Sequence, residues 1–161
     1  MSFKLLREDV CYTNSSNGTH YSVLRQWLAN PGIRCVTYMR LAARGGILGK
    51  IFRNHLLLAY GCDASRGAKI GGGIVLPHPI GIVIGMGVEL QGNTWIYQGV
   101  TLGANRRNEY PTISSGAKLY PGCLVSGGVR IGSGAIIGAG AHIFQDVPDG
   151  AIVRGTATPL D

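Results

Sequence analysis

Ten apolar residues sit six apart along the second half of this chain, and that spacing constrains the fold more than any other feature. Ile113, Leu119, Val125, Ile131, Ile137 and Ile143 form one unbroken series; Ile84, Leu90, Ile96 and Leu102 form another. Two residues before most of them stands a small or branched side chain: Ala117, Cys123, Val129, Ala135 and Ala141 in the first series, Ile82, Val88, Thr94 and Val100 in the second. A period of six belongs to neither an α-helix nor an alternating strand. Self-similarity at a fixed period marks a stacked repeat. Each unit supplies one short strand and one tight corner. Three units close a triangular turn of about 18 residues, and successive turns stack at the strand spacing of about 4.8 Å. The apolar position points into the prism, onto its copies in the turns before and after.

The reading is an all-β solenoid, a parallel β-helix of hexapeptide repeats over residues 61–161, with about five turns between residues 63 and 155. Hexapeptide solenoids coil left-handed, against the usual right-handed crossover. Composition supports this. Glycine supplies 26 of 161 residues, about twice the ordinary share. No Gly-X-Y period is present, and the glycines stand among Val, Ile and Leu rather than in a flexible linker. Corners that demand positive φ account for them. The phase slips once: Leu102 and Ile113 are eleven apart, not twelve, and the polar stretch 104–111 between them is read as an external loop. A loop with two adjacent arginines on a rigid scaffold is a candidate binding element.

Residues 1–60 read as an N-terminal helical segment. From Ser22 to Tyr60 the pattern is helical, broken at Pro31-Gly32 and at Gly45-Gly46. The run Asn14-Ser15-Ser16-Asn17-Gly18 marks residues 1–20 as a turn-rich, partly mobile start. Charge is uneven: of the net +7, residues 1–60 carry +6. Such a segment attracts anionic partners, and peripheral contact with a membrane surface is one expectation. Nucleic acid is not expected, since no clustered basic run or binding motif is present. No secretory signal opens the chain and no apolar run reaches the about 20 residues of a spanning helix. The four cysteines match no zinc spacing. They read as reduced thiols of a cytoplasmic protein.

The apolar prism leaves chemistry to polar residues beside it. Of the four histidines, His20 lies in the turn-rich start, His55 on the last helix, and His142 beside the inward Ile143, pointing outward. His78 differs. It stands between two prolines in Leu76-Pro77-His78-Pro79-Ile80-Gly81. These fix the backbone and donate no hydrogen bond. Asp63 precedes it by fifteen residues, close to one turn, which places both on neighbouring turns near one corner. A carboxylate there accepts the Nδ1–H of the imidazole, fixes its tautomer and leaves Nε2 as a base. Two solenoid histidines are too few for a metal site, so no metal is expected.

These residues resemble the hexapeptide-repeat acyltransferases, in the branch of serine acetyltransferase. The resemblance runs over about residues 33–155. It is carried by Asp63, Ala68-Lys69-Ile70-Gly71, Leu76 through Gly85, Gly99-Val100-Thr101-Leu102-Gly103, Tyr110-Pro111-Thr112-Ile113, Ile131 through Gly140, and Asp146-Val147-Pro148. It implies a homotrimer with active sites between neighbouring prisms and acetyl-CoA lying along the groove. His78 falls on the family's catalytic histidine and Asp63 on the aspartate that orients it. Ala104, Asn105, Pro121, Gly122 and Ala139 match positions lining the pantetheine groove. By charge and position, Arg106, Arg107 and Arg154 are read as contacts for CoA phosphates, and Tyr110 as a lining of the acceptor pocket.

The departures bear on the acceptor. The aspartate that precedes the catalytic histidine in the serine enzymes, and helps hold the amino acid, is Pro77 here. The second active-site histidine, in an Arg-His-Pro-Lys-Ile stretch, gives way to Tyr110 in Glu109-Tyr110-Pro111-Thr112-Ile113. The N-terminal helical domain is shorter, and the tail that docks on cysteine synthase is replaced by Pro159-Leu160-Asp161. An ammonium without an anionic partner is costly to bury. The truncated form resembles the O-acetyltransferases of capsule, exopolysaccharide and lipopolysaccharide synthesis, and that resemblance implies an acetyl-CoA-dependent O-acetyltransferase acting on a carbohydrate hydroxyl. Serine O-acetyltransferase of cysteine biosynthesis is the alternative, and a non-catalytic solenoid scaffold a remote one.

Overall fold

A computed structural model describes residues 3–14 and 20–155. Four helices precede the repeats: α1 (Phe3–Asn14), α2 (His20–Ala29), α3 (Pro31–Ala43) and α4 (Gly46–Tyr60). The sequence breaks become caps. Asn30 caps α3, its Oδ1 accepting from the backbone N–H of Gly32 at 2.9 Å and of Ile33 at 3.3 Å, with Pro31 following in the first turn. Gly61 ends α4 in the left-handed conformation and returns its N–H to Leu56 and Leu57.

The thirteen strands, numbered in chain order, form three parallel sheets. Sheet I holds β1 (Asp63–Ala64), β3 (Val83–Ile84), β6 (Thr101–Gly103), β9 (Leu124–Ser126) and β12 (His142–Ile143). Sheet II holds β2 (Lys69–Ile70), β4 (Glu89–Leu90), β7 (Thr112–Ile113) and β10 (Arg130–Ile131). Sheet III holds β5 (Trp95–Ile96), β8 (Lys118–Leu119), β11 (Ile136–Ile137) and β13 (Ile152–Val153). Single bridges at Val147 on sheet II and Val75 on sheet III complete five coils. The register stacks the sixfold series on itself. Ile84, Leu102, Val125 and Ile143 are successive partners on sheet I, Leu90, Ile113 and Ile131 on sheet II, and Ile96, Leu119 and Ile137 on sheet III. All ten are buried. The result is the left-handed hexapeptide β-helix. The phase slip is the connection from β6 to β7, which leaves the prism over residues 104–111.

Helices and coils share one core. Cys35, Val36, Met39 and Ala42 of α3 and Leu56 of α4 join the cluster of inward solenoid residues. They close the N-terminal end of the prism, where the first coil would otherwise expose apolar side chains. The turn-rich reading of residues 1–20 does not hold for the described stretch before residue 15. Phe3–Asn14 is a helix, because Val10 packs with Val23 and Ile33 in a second small cluster. Asp9 also reaches Arg40 of α3. The turn run at 15–19 lies outside the described residues.

Candidate active site

His78 stands on a corner that is two residues longer than the other III–I corners. Val75 bridges to Trp95 on sheet III, and Val83 pairs with Asp63 on sheet I, eight residues on rather than six. The extra length displays Pro77-His78-Pro79-Ile80 on the III–I edge. The backbone there is tied on both sides: Gly81 N–H donates to Tyr60 O at 3.2 Å at the end of α4, and Gly99 N–H donates to Ile80 O at 3.0 Å from the coil after. Ile80 N–H closes a tight turn onto His78 O at 2.8 Å. The imidazole is exposed on this rigid corner.

Asp63 lies on the same edge, one coil earlier, its N–H donating to Ile82 O at 2.9 Å. The spacing thus brings both residues to adjacent coils. The expected hydrogen bond between them is not formed within this chain. Asp63 is instead gripped by Arg53 of α4, whose Nε and Nη2 each donate to one carboxylate oxygen at 2.6 Å. This pairing raises the pKa of Arg53 above its ordinary value, the Asp63 hydrogen bond being the main cause. Each oxygen keeps a second lone pair open to another donor. Nothing in the sequence spacing singled out Arg53, which counted only toward the basic segment.

The remaining candidates divide between two edges of sheet I. Pro77, His78, Pro121, Gly122, Ala139 and Arg154 follow the III–I edge. Gly122 N–H donates to Gln98 O and Gly140 N–H to Pro121 O, both at 2.9 Å. The Arg154-Gly155 corner lies so close to Ala139 that a Cβ on Gly155 would sit 2.3 Å from Ala139 O. Ala104, Asn105, Arg106, Arg107 and Tyr110 belong to the I–II edge. There Asn105 organises the loop. Its Oδ1 accepts from Arg107 N–H at 2.9 Å and Glu109 N–H at 3.1 Å, and its Nδ2 donates to Glu109 at 2.6 Å. Ser126 Oγ donates to Ala104 O at 3.0 Å, pinning the loop to β9. Arg106 and Arg107 are exposed, while Tyr110 folds its ring back over Gly85 and Gly87. One chain therefore does not bring the two sets together.

His142 projects outward from β12 and contacts Phe144 edge-on at 6.4 Å. His55 meets Tyr38 edge-on at 4.9 Å, an aromatic contact away from the corner. The His20 side chain lies outside the described residues. Cys11, Cys35, Cys62 and Cys123 are free thiols. Among the described residues, no three His, Cys, Asp or Glu side chains gather as a metal site, and no helix is long and apolar enough to cross a membrane.

Comparison with known proteins agrees with this architecture. The bacterial transferase hexapeptide (six repeats) family matches residues 110–145. Serine acetyltransferase of Bacillus licheniformis is 31% identical over 163 residues, covering 96% of this chain and 76% of that protein. Among solved structures, Neisseria gonorrhoeae serine acetyltransferase in complex with serine superposes with a TM-score of 0.82 at 28% identity, over 97% of this chain and 68% of that one. Serine acetyltransferase isoform 3 of Entamoeba histolytica in complex with cysteine gives 0.80 at 26% identity, over 98% of this chain and 59% of that one. This chain thus spans about three-quarters of the Bacillus protein and 59% of the Entamoeba one. It is an acyltransferase, and it belongs to the serine acetyltransferase family of hexapeptide-repeat transferases.

Proposed function

We propose that this chain transfers the acetyl group of acetyl-CoA to the hydroxyl of serine, with His78 as general base. The carrying observation is an exposed imidazole on a doubly anchored corner, one coil from Asp63, in a chain that aligns with serine acetyltransferase over 96% of its length. Nε2 of His78 takes the hydroxyl proton as the oxygen attacks the thioester carbonyl. A bond forms between the acceptor oxygen and the acetyl carbon, the tetrahedral intermediate collapses with cleavage of the C–S bond, and the imidazolium returns its proton to the departing thiolate. Asp63 stabilises the imidazolium. A base of this kind contributes about 10²–10⁴ in rate. Backbone N–H groups beside the corner hold the developing oxyanion. The cofactor follows the III–I edge, where Pro121, Gly122 and Ala139 let it approach the coils, with Arg154 on that edge and Arg106 and Arg107 from a neighbouring copy's I–II edge for its phosphates.

The division of the site over two edges supports assembly with neighbouring copies, read as a homotrimer. His78 and Tyr110 stand on different edges of sheet I, and a neighbouring prism that turns its I–II edge toward the III–I edge of the first joins them at a seam. The basic N-terminal segment is proposed to touch an anionic membrane surface, supported by the exposed Ile47, Leu48, Ile51 and Leu58 of α4. Co-sedimentation with anionic vesicles at low salt tests this contact; absence of binding there removes it.

A carbohydrate hydroxyl is the second reading of the acceptor, and one observation favours it. Pro77 brings no charge to the corner, and Asp63 is already matched by Arg53, so neither position offers a serine ammonium a free carboxylate. The experiment is CoA release from acetyl-CoA with L-serine and with a panel of sugars. Turnover confined to serine supports the first reading, turnover confined to sugars replaces it with the second, and no release with either sinks both.

A further inference from the structure

The carboxylate one coil before the His78 corner already has an owner. Between Asp9 and Asp63 the chain contains no acidic residue, and Asp9 is taken by Arg40. Asp63 is therefore the carboxylate that Arg53 holds, and it does so as a fork, Nε and Nη2 on the two oxygens at 2.6 Å each. A planar guanidinium bound this way fixes the rotation of the carboxylate as well as its position, which a lysine cannot do. Arg53 is itself set by α4, whose end at Tyr60 accepts the Gly81 N–H of the His78 corner. Helix, carboxylate and corner form one mechanical unit.

The electrostatics point the same way. An isolated carboxylate next to an imidazole raises the imidazole pKa. A guanidinium behind that carboxylate opposes the rise. A base needs both a fixed tautomer and a free lone pair. The elements packed against the corner also bring Tyr60 and Cys62 from the end of α4, with Cys35 behind Cys62. The hydrogen bond between Cys62 and Cys35 draws the Cys62 thiol down, while that bond and burial push Cys35 up.

We propose that Arg53 is a positioning residue of the acyl-transfer site, acting through Asp63 to set the orientation and protonation of His78. This rests on the reading of His78 as base. The test compares wild type with R53Q, R53K, D63N, H78A and the double variant R53Q/D63N. The readouts are the pH profile of CoA release and the His78 imidazole titration followed by NMR, with thermal unfolding to verify folding. R53Q is expected to move the His78 titration and the acid limb of kcat/KM upward by about half a pH unit or more. It should lower kcat about tenfold and leave the KM for acetyl-CoA within about twofold. R53K, which keeps the charge and loses the fork, restores the titration but only part of kcat. In the D63N background R53Q costs little further kcat, because there is no carboxylate left to orient. An unmoved or lowered His78 titration in R53Q overturns the proposal, as do kcat losses that simply multiply in the double variant. Full turnover in H78A instead removes the base reading. The NMR titration reads Arg53 even if no acceptor supports turnover.

Discussion

The ring of Tyr110 fills the space that a side chain on Gly87 would need. A Cβ at Gly87 would lie 2.4 Å from Cδ2 of the ring, and one at Gly85 2.9 Å from its Cε1. The loop 104–111 therefore closes onto the second coil through this ring, at the base of β7. Gly87→Val is expected to expel the ring and cost about 1–3 kcal/mol through overpacking, read as a lowered denaturation midpoint. If Tyr110 lines the acceptor pocket of a neighbouring copy, the same variant raises the acceptor KM severalfold more than that of acetyl-CoA. Equal changes in both KM values remove Tyr110 from the acceptor side.

Asp9 and Arg40 form an ion pair from which water is excluded, with exposures of 0% and 6%. The remaining groups are used: Ile74 N–H donates to Asp9 at 3.0 Å, and Arg40 Nε donates to Ile70 O at 3.2 Å. Burial pushes the Asp9 carboxyl above its usual pKa, opposed by Arg40. Asp9→Ala leaves a buried guanidinium without its partner and is expected to cost about 3–5 kcal/mol. The double change to Asp9→Leu with Arg40→Met costs less than the single one. Urea unfolding of the two variants checks the order; the reverse order contradicts it.

The II–III edge turns through left-handed residues at Gly73, Asn93, Gly116, Gly134 and Gly150, with Asn93 at φ 48° in place of glycine. Asparagine tolerates this region and a β-branched residue does not. Asn93→Gly is expected to stay within about 1 kcal/mol of wild type, relief of strain being offset by a freer unfolded chain. Asn93→Val is expected to lose about 2 kcal/mol or more. Thermal midpoints that rank Val at or above Gly would count against the corner geometry.

Burial pushes the Cys123 thiol up to about 12. The folded protein thus keeps a proton that the unfolded chain gives up near pH 8.5. For an acid whose folded pKa is raised, the stabilisation is complete below the unfolded value and shrinks as pH climbs toward the folded one. Folding stability should fall from about pH 8.5 upward, and Cys123→Val should flatten that slope. A native thiol titration at pH 8 should find the partly exposed Cys11 reactive and Cys123 silent. Rapid native reaction at Cys123 contradicts the account.

The inward ladder from Ile84 to Ile143 is legible in the chain because each rung repeats the same local demand, an apolar residue every sixth position. The slip between Leu102 and Ile113 likewise locates the loop between β6 and β7. What the spacing hides depends on contacts between distant elements. Helix α1 follows from Val10 meeting Val23 and Ile33, which its own composition does not announce. The grip of Arg53 on Asp63 depends on how α4 ends at Gly61, which decides where a side chain ten residues away arrives. The distribution of His78 and Tyr110 over two edges follows from counting corners, yet the residue pattern alone presents them as one site.

The most direct test is the rate of CoA release from acetyl-CoA at neutral pH by wild type and His78→Ala, using whichever acceptor the panel identifies. The account predicts a fall of about 10²–10⁴ in kcat with acetyl-CoA binding and the unfolding midpoint little changed. Turnover near the wild-type rate would contradict it.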